Sequence, residues 1–440
     1  MQFQQDIQDV VAFGSGADLD QLRQHLKPEW IEDALKWSGT TSIRRRRLPA
    51  EQVVWLVLGM ALFRREPIER IVDLLELAIP DARDFSVAKS AIAQARKRLG
   101  PEPLRYLFEM TAAAWSTRSV ESRTWRGLKL YGMDGTTLRV PDSPENREAF
   151  GDVVAGDRGV AGYPLVRVVA MMAVRSHVLS SFRFGPYRTG ETVLARELWD
   201  DLPPDSLVLI DRGFLVKKDL YALERTRDRH WLTRSKVNTK WSTVEKLGKD
   251  DYLVELELHG RGLPPRWPVR AIHYKLKGRE RSTILTSLTD AEKYPAKELV
   301  ALYHERWETE LVYDEVKTHL LERHESLRSR TPDGVRQELW GIAIAYNLVR
   351  VEMERTAAEA NVPPIRISFT GTLAVLRDEL GRMGGPRFLP GTIPKRLQGL
   401  RRDLKRLILP PRRPDRVYPR AVKIKMSNYP RKRPAIANPK

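Results

Sequence analysis

The chain changes texture at Leu128, and that change limits its possible folds more than any other feature. LKLYGMDGTTLRV reads as strand, turn, strand, and YPLVRVVAMMAV and HVLSSFRFGPY follow as two further β-rich runs. Helix and strand then alternate through ETVLARELWDDL, the short apolar strand DSLVLIDRGF, KKDLYALERTRD and HWLTRSK. Adjacent strands followed by strands alternating with helices predict a mixed α/β domain, whose first part spans residues 125–236. From 237 to 290 the pattern turns to polar strands, LVELELH, VRAIHYKL and STILTS, broken by Gly, Pro and Lys clusters. This segment reads as a β-rich insertion. The core resumes over residues 291–385, where YHERWETELVYDEVKTHL and the long apolar helix VRQELWGIAIAYNLVRVEMERTAAEA follow.

Upstream, residues 1–118 read as a separate all-helical domain. AEQVVWLVLGMALF starts behind Pro49, PIERIVDLLELA makes a second helix, and SVAKSAIAQARKRLG makes a third with Ser86 as N-cap and Gly100 as stop. Helix, turn and a helix bearing Arg96 and Lys97 outline a helix-turn-helix that can enter a major groove; any basic three-helix bundle gives the same pattern. Residues 386–440 form a proline-rich basic tail, expected to be ordered only in part.

At 440 residues the chain exceeds the roughly 250 to 300 that one core supports. It has no cysteine, which excludes thiolate metal sites and a cysteine nucleophile and leaves oxygen-ligated metals open. No apolar run reaches the ~20 residues of a membrane span, and MQFQQDIQDVVAFG lacks a secretory pattern, so a cytoplasmic, nucleoid-associated protein without a membrane partner is expected. The net charge is +19, with 15 Lys or Arg against two Asp between Arg396 and Lys440. A second basic block is Arg44, Arg45, Arg46 and Arg47. Such blocks favour a polyanion through counterion release, and nucleic acid is the expected partner.

Three carboxylates stand at positions suited to chemistry. On one α-helix Tyr303, Arg306, Glu310 and Lys317 fall within an arc of about 60°. A carboxylate framed by two cations and a phenol can hold a metal ion against a phosphodiester; the alternative is a solvated face of ion pairs. Asp134 stands before a Gly turn and Asp211 ends an apolar strand, at the rim where α/β sites form. Each also fits as a turn former or N-cap. Together the three carboxylates can hold two divalent ions. Arg212 either touches DNA or pairs with a carboxylate, and Asp314 is the next candidate ligand. Trp241, Trp267 and Tyr274 are aromatics that either stack bases or pack the insertion.

MDGTTLRVPDSPENREAFG, LVLIDRGF and YHERWETELVYDEVK resemble, in order, the three catalytic blocks of IS4-family insertion-sequence transposases, bacterial enzymes with a DDE site on a ribonuclease-H-like fold. The third carries that family's Y-(2)-R-(3)-E-(6)-K signature as Tyr303, Arg306, Glu310 and Lys317. The segment IEDALKWSGTTSIRRRRLPAEQVVWLVLGMALFRREPIERIVDLL and the tail YPRAVKIKMSNYPRKR are similar to the family's N-terminal domain and basic C-termini.

The resemblance implies that Asp134, Asp211 and Glu310 ligate two Mg²⁺ ions, with Mn²⁺ as a substitute, on a ribonuclease-H-like mixed sheet. It implies cleavage at terminal inverted repeats of double-stranded DNA and joining of the 3′-hydroxyl to target DNA by a homodimer. Tyr303, Arg306, Lys317 and Arg212 would contact DNA, with Arg44 to Arg47, Arg96, Lys97 and Trp267 as further contacts. The family's insertion holds a flipped base against a tryptophan where this chain has Glu280, Arg281 and Ser282. A non-catalytic transposase-derived DNA-binding protein and a structure-specific nuclease of the same fold are the competing expectations.

Overall fold

A computed structural model of the chain describes residues 26–42, 48–75, 77, 87–151, 162–226, 228–275, 280–323, 326–383 and 393–411. Among the described residues five helices come first: α1 (Pro28–Trp37), α2 (Ala50–Leu62), α3 (Ile68–Leu74), α4 (Lys89–Leu99) and α5 (Glu102–Glu121). Strand β1 (Lys129–Arg139), helix α6 (Pro144–Phe150), β2 (Leu165–Ala173) and β3 (Leu179–Pro186) follow. Helix α7 (Glu191–Leu198), β4 (Ser206–Ile210), α8 (Lys217–Glu224) and β5 (Arg229–Arg234) then alternate. Strands β6 (Ser242–Gly248), β7 (Asp251–Glu257), β8 (Arg266–Lys275) and β9 (Arg281–Thr286) form a meander. Helices α9 (Ala296–Glu305), α10 (Trp307–Asp314), α11 (Pro332–Glu359), α12 (Phe369–Met383) and α13 (Ile393–Lys405) complete the described chain.

The strands make one nine-stranded sheet in the order β3-β2-β1-β4-β5-β9-β8-β7-β6. β2 is antiparallel to β1 and β3, while β1, β4 and β5 run parallel. This is the mixed sheet of a ribonuclease-H-like fold. All five residues of β4 are buried, as a parallel strand covered on both faces requires. One sequence expectation changes here. β1 runs unbroken through Asp134 and Gly135, with no turn between them, because β2 pairs with it from Tyr131 to Arg139. The 237–290 segment continues the main sheet, since β9 pairs with β5 over Leu232 to Arg234.

The meander shares the core of the sheet. Trp231 of β5 and Trp267 of β8 both donate their indole N–H to Glu224 of α8, at 3.2 and 2.8 Å. Fully buried Arg270 grips Asp251 through Nε (2.8 Å) and Nη2 (2.5 Å), and its Nη1 donates to Tyr294 O at 2.7 Å. A bidentate, desolvated pair of this kind is rigid. It fixes the loop from which α9 sets out.

Helix α11 is buried on nearly every side, and its buried residues include charged and polar side chains such as Glu338, Asn347, Arg350 and Glu352 beside the apolar ones. Gly341 lets α2 lie against it, because a Cβ there would meet Val57 Cγ1 at 2.6 Å. The N-terminal helices, expected as separate, share one apolar cluster with α11. α13 begins within the segment expected as tail, and Arg401 fastens it to Glu352 and Glu359 of α11 at 3.1 and 3.0 Å. No helix among the described residues is long and apolar enough to cross a membrane.

Candidate catalytic site

The sheet register brings the two aspartates together. Met133 of β1 pairs with Ile210 of β4, and Ile210 pairs with Thr233 of β5. The next residues, Asp134, Asp211 and Arg234, therefore form a row across three parallel strands where the ladder ends. Asp134 Oδ1 accepts from the Gly135 N–H at 2.8 Å. Asp211 Oδ1 accepts from the Gly213 N–H at 3.0 Å and caps a short 3₁₀ turn, so the capping role expected of it is real and leaves Oδ2 turned elsewhere.

Glu310 reaches this row because α10 lies unusually close to β1. A Cβ on Gly132 would stand 2.4 Å from Thr309 Cγ2, so only glycine permits the approach. Tyr313 anchors the same helix by donating to Asp134 O at 2.5 Å. Arg306 Nη2 lies 3.0 Å from Glu310 Oε1 and 4.0 Å from Asp211 Oδ2, bridging two carboxylates. The helix differs from the single α-helix assumed for the 60° arc. It breaks at Arg306 between α9 and α10, then widens into a π-turn over Glu315–Leu320. Tyr303, Arg306 and Lys317 stay on the face turned to the aspartates, as their electrostatics record.

Burial pushes the Asp134 carboxyl up to about 6; Glu310 and Asp211 add to the rise, while the Gly135 N–H and Arg306 oppose it. Burial pushes the Lys317 ammonium down, and the Asp134 charge partly holds it up. The buried Tyr303 phenol is raised by burial and senses Arg306, Asp211, Arg234 and Tyr274. Asp134, Asp211 and Glu310 offer oxygen donors, the type a hard divalent cation prefers, with Arg306 set against two of them. Among the described residues no three His, Asp or Glu side chains are gathered tightly enough to enclose an ion. Arg306 occupies the gap between two of the carboxylates.

Of the other expected site residues, Arg212 stays at this row and the rest of those described lie apart from it. Arg212 is exposed directly beside Asp211, and Lys97 is exposed on α4. Arg96 is tied by Nε to Gln337 (3.1 Å) and by Nη2 to Ser329 (2.9 Å) and Gly334 O (3.2 Å), so it fastens α4 to α11 and faces no groove. The helix-turn-helix reading loses its central cation. Trp267 is 1% exposed and offers no face to a base. Asp314 binds Thr318 at 2.7 Å on the surface, away from the aspartates. Arg44, Arg45, Arg46 and Arg47, with Ser86 and most of the tail, lie outside the described residues. Arg234 was missed, because only the register shows that it stands level with Asp134 and Asp211.

Comparison with known proteins shows the family. Residues 16–109 match the family described as insertion element 4 transposase N-terminal, and residues 125–348 match the transposase DDE domain. Transposase InsG for insertion sequence element IS4 of Escherichia coli (strain K12) is 37% identical over 422 residues, spanning 94% of this chain and 93% of that one. Putative transposase InsZ of the same organism is 35% identical over 224 residues, 50% of this chain and 73% of its own. A solved cryo-EM structure of a piggyBac transposase synaptic complex with hairpin DNA covers 90% of this chain and 86% of its own at 12% identity, with a TM-score of 0.42. Enzymes of the DDE type bind DNA, cut and transfer its strands, and work with divalent metal ions. The chain belongs to the IS4 family of bacterial insertion-sequence DDE transposases.

Proposed function

We propose that Asp134, Asp211 and Glu310 are the catalytic carboxylates with which this transposase cuts the ends of its element at terminal inverted repeats and joins the 3′-hydroxyl to target DNA. The convergence of Glu310, across a glycine-thinned contact, on two aspartates at one sheet level supports this reading most directly. The three would hold two Mg²⁺ ions, with Mn²⁺ as a substitute; bound there, such ions supply an activated water or hydroxyl and stabilise the leaving oxygen.

The chain's own cations hold the substrate. Arg306 lies against Glu310 and Asp211 in this structure. Its planar fork is the group that would grip a phosphate beside those carboxylates. Lys317, with an ammonium pulled down by burial and held up by Asp134, is a point charge at the same place. Tyr303 backs Arg306 from the buried side. Arg212 and Arg234 flank Asp211 and extend the phosphate-binding rim. Two ends must be joined to one target, so a homodimer on DNA is the working unit.

The test is incubation of the protein with Mg²⁺, labelled DNA carrying the element's inverted repeats, and a target plasmid. Joined product supports the assignment; cleavage without joining points to a nuclease, and a mobility shift without cleavage to a DNA-binding protein. Asp134→Asn, Asp211→Asn and Glu310→Gln should each abolish cleavage and keep end binding. Turnover by any of the three removes that residue from the site.

A further inference from the structure

Behind the helix that carries Glu310 lies a second, buried polar cluster. On an α-helix Glu308 and Glu315 stand about 160° and 140° round from Glu310, so both point away from the site and into the protein. His177, at the turn between β2 and β3, meets both: Nε2 lies 2.9 Å from Glu308 Oε2 and Nδ1 lies 3.5 Å from Glu315 Oε2. Arg350 of α11 donates through Nη2 to Glu315 and to His177 Nδ1, and through Nε to Tyr346 Oη at 3.1 Å. Tyr346 in turn donates to Glu315 Oε2 at 2.7 Å. A guanidinium can only donate, so Nδ1 accepts and the Nε2–H is given to Glu308.

We propose that His177, Glu308, Glu315, Tyr346 and Arg350 form a positioning clamp that sets the pose of Glu310 and Lys317 from behind their helix. This rests on the catalytic assignment of Glu310 made above. Three observations carry it. The clamped carboxylates bracket Glu310, two residues before it and five after. Glu315 stands where the helix widens: the Leu321 N–H reaches back five residues to Val316 O at 2.8 Å, and this π-turn sets the rotation of Lys317. Such turns recur at functional sites. His177 holds its ring there at φ 67°, a conformation uncommon for a non-glycine residue, kept where the surroundings demand it. Well-packed apolar residues often stabilise a core as well as buried ion pairs do, so a fixed register is what these charges add.

The test uses the full-length protein. Glu315→Met combined with Arg350→Met removes both charges together and avoids stranding either one; Arg350→Lys keeps the charge and loses the fork. Circular dichroism, the Kd for end DNA, the melting-temperature rise on adding Mg²⁺ and single-turnover cleavage are measured for each. Expected for the double variant are a folded protein, end binding within about twofold of the parent, a smaller Mg²⁺-induced rise, and cleavage slowed about tenfold or more, the scale of an ångström-level misplacement. Arg350→Lys should recover part of that cleavage rate. Cleavage at the parental rate in the double variant, or a loss of end binding as large as the loss of cleavage, overturns the clamp. Glu310→Gln is run beside it: if it cleaves, the site assignment fails, and if it is dead while the double variant cleaves normally, the clamp alone fails.

Discussion

Asp134→Asn should stabilise the metal-free protein while destroying its activity. Burial pushes the Asp134 carboxyl from 3.8 up to about 6, with Glu310 and Asp211 as further contributors. The folded state therefore holds this proton more tightly than the unfolded chain does. The stability tied to that proton is fully present below the unfolded value and is lost as pH rises through the folded one. A shift of about two units corresponds to at most ~3 kcal/mol, and partial solvent contact reduces the expected cost to about 1–3 kcal/mol above pH ~7. Asparagine keeps an Oδ1 acceptor for the Gly135 N–H at the same 2.8 Å position, so the substitution removes charge with little change of shape. The assay is thermal or urea unfolding of both proteins in chelator at pH ~4 and ~7.5, where a gain of this size should raise the melting point by a few degrees only at the higher pH. Adding Mg²⁺ should then stabilise the parent and leave the variant unmoved. An equal gain at both pH values, or none at pH ~7.5, refutes the electrostatic argument.

Three further outcomes follow from the same geometry. Gly132→Ala drives a methyl into Thr309, so it should cost about 1–3 kcal/mol by urea unfolding and slow cleavage more than it weakens end binding. Arg234→Ala should weaken end binding and lower the slope of log K against log salt by about one phosphate contact, read by fluorescence anisotropy over a salt series. For Glu315, burial pushes the carboxyl up, but the Arg350 charge, with Tyr346 donating as well, outweighs it and holds the group at about 2. Its stability contribution is thus present above the unfolded value of 4.5 and lost as pH falls toward about 2, and Glu315→Gln should flatten that part of the acid unfolding curve.

Why some of this was readable from residues alone, and some not, has a physical basis. Asp211 was legible because a parallel strand buried on both faces must be a short apolar run, and the first carboxylate after it marks where burial ends. The phase of Tyr303, Arg306, Glu310 and Lys317 was legible because helical spacing is local, and a break at Arg306 and a wider turn after Asp314 shift the angles without moving those residues off their face. Asp134 was misplaced for a reason that is not local. Gly135 was taken for a turn, yet its missing Cβ makes room for Glu191, whose Cδ would lie 2.9 Å away, and Gly132 does the same for Thr309 on the opposite face. A glycine in a strand gives the same letter whether the chain bends there or another element presses against it. Arg96 and Trp267 failed similarly: whether a cation or an indole meets DNA or a partner such as Gln337 or Glu224 depends on segments far along the chain. Glu308 and Glu315 are likewise claimed from far along the chain, by His177 and Arg350. Of the carboxylates proposed for the chemistry, Asp211 and Glu310 announce themselves by position in their own element, while the groups proposed to aim them are chosen by tertiary contacts, and substitutions at the second kind should alter rate before they alter binding.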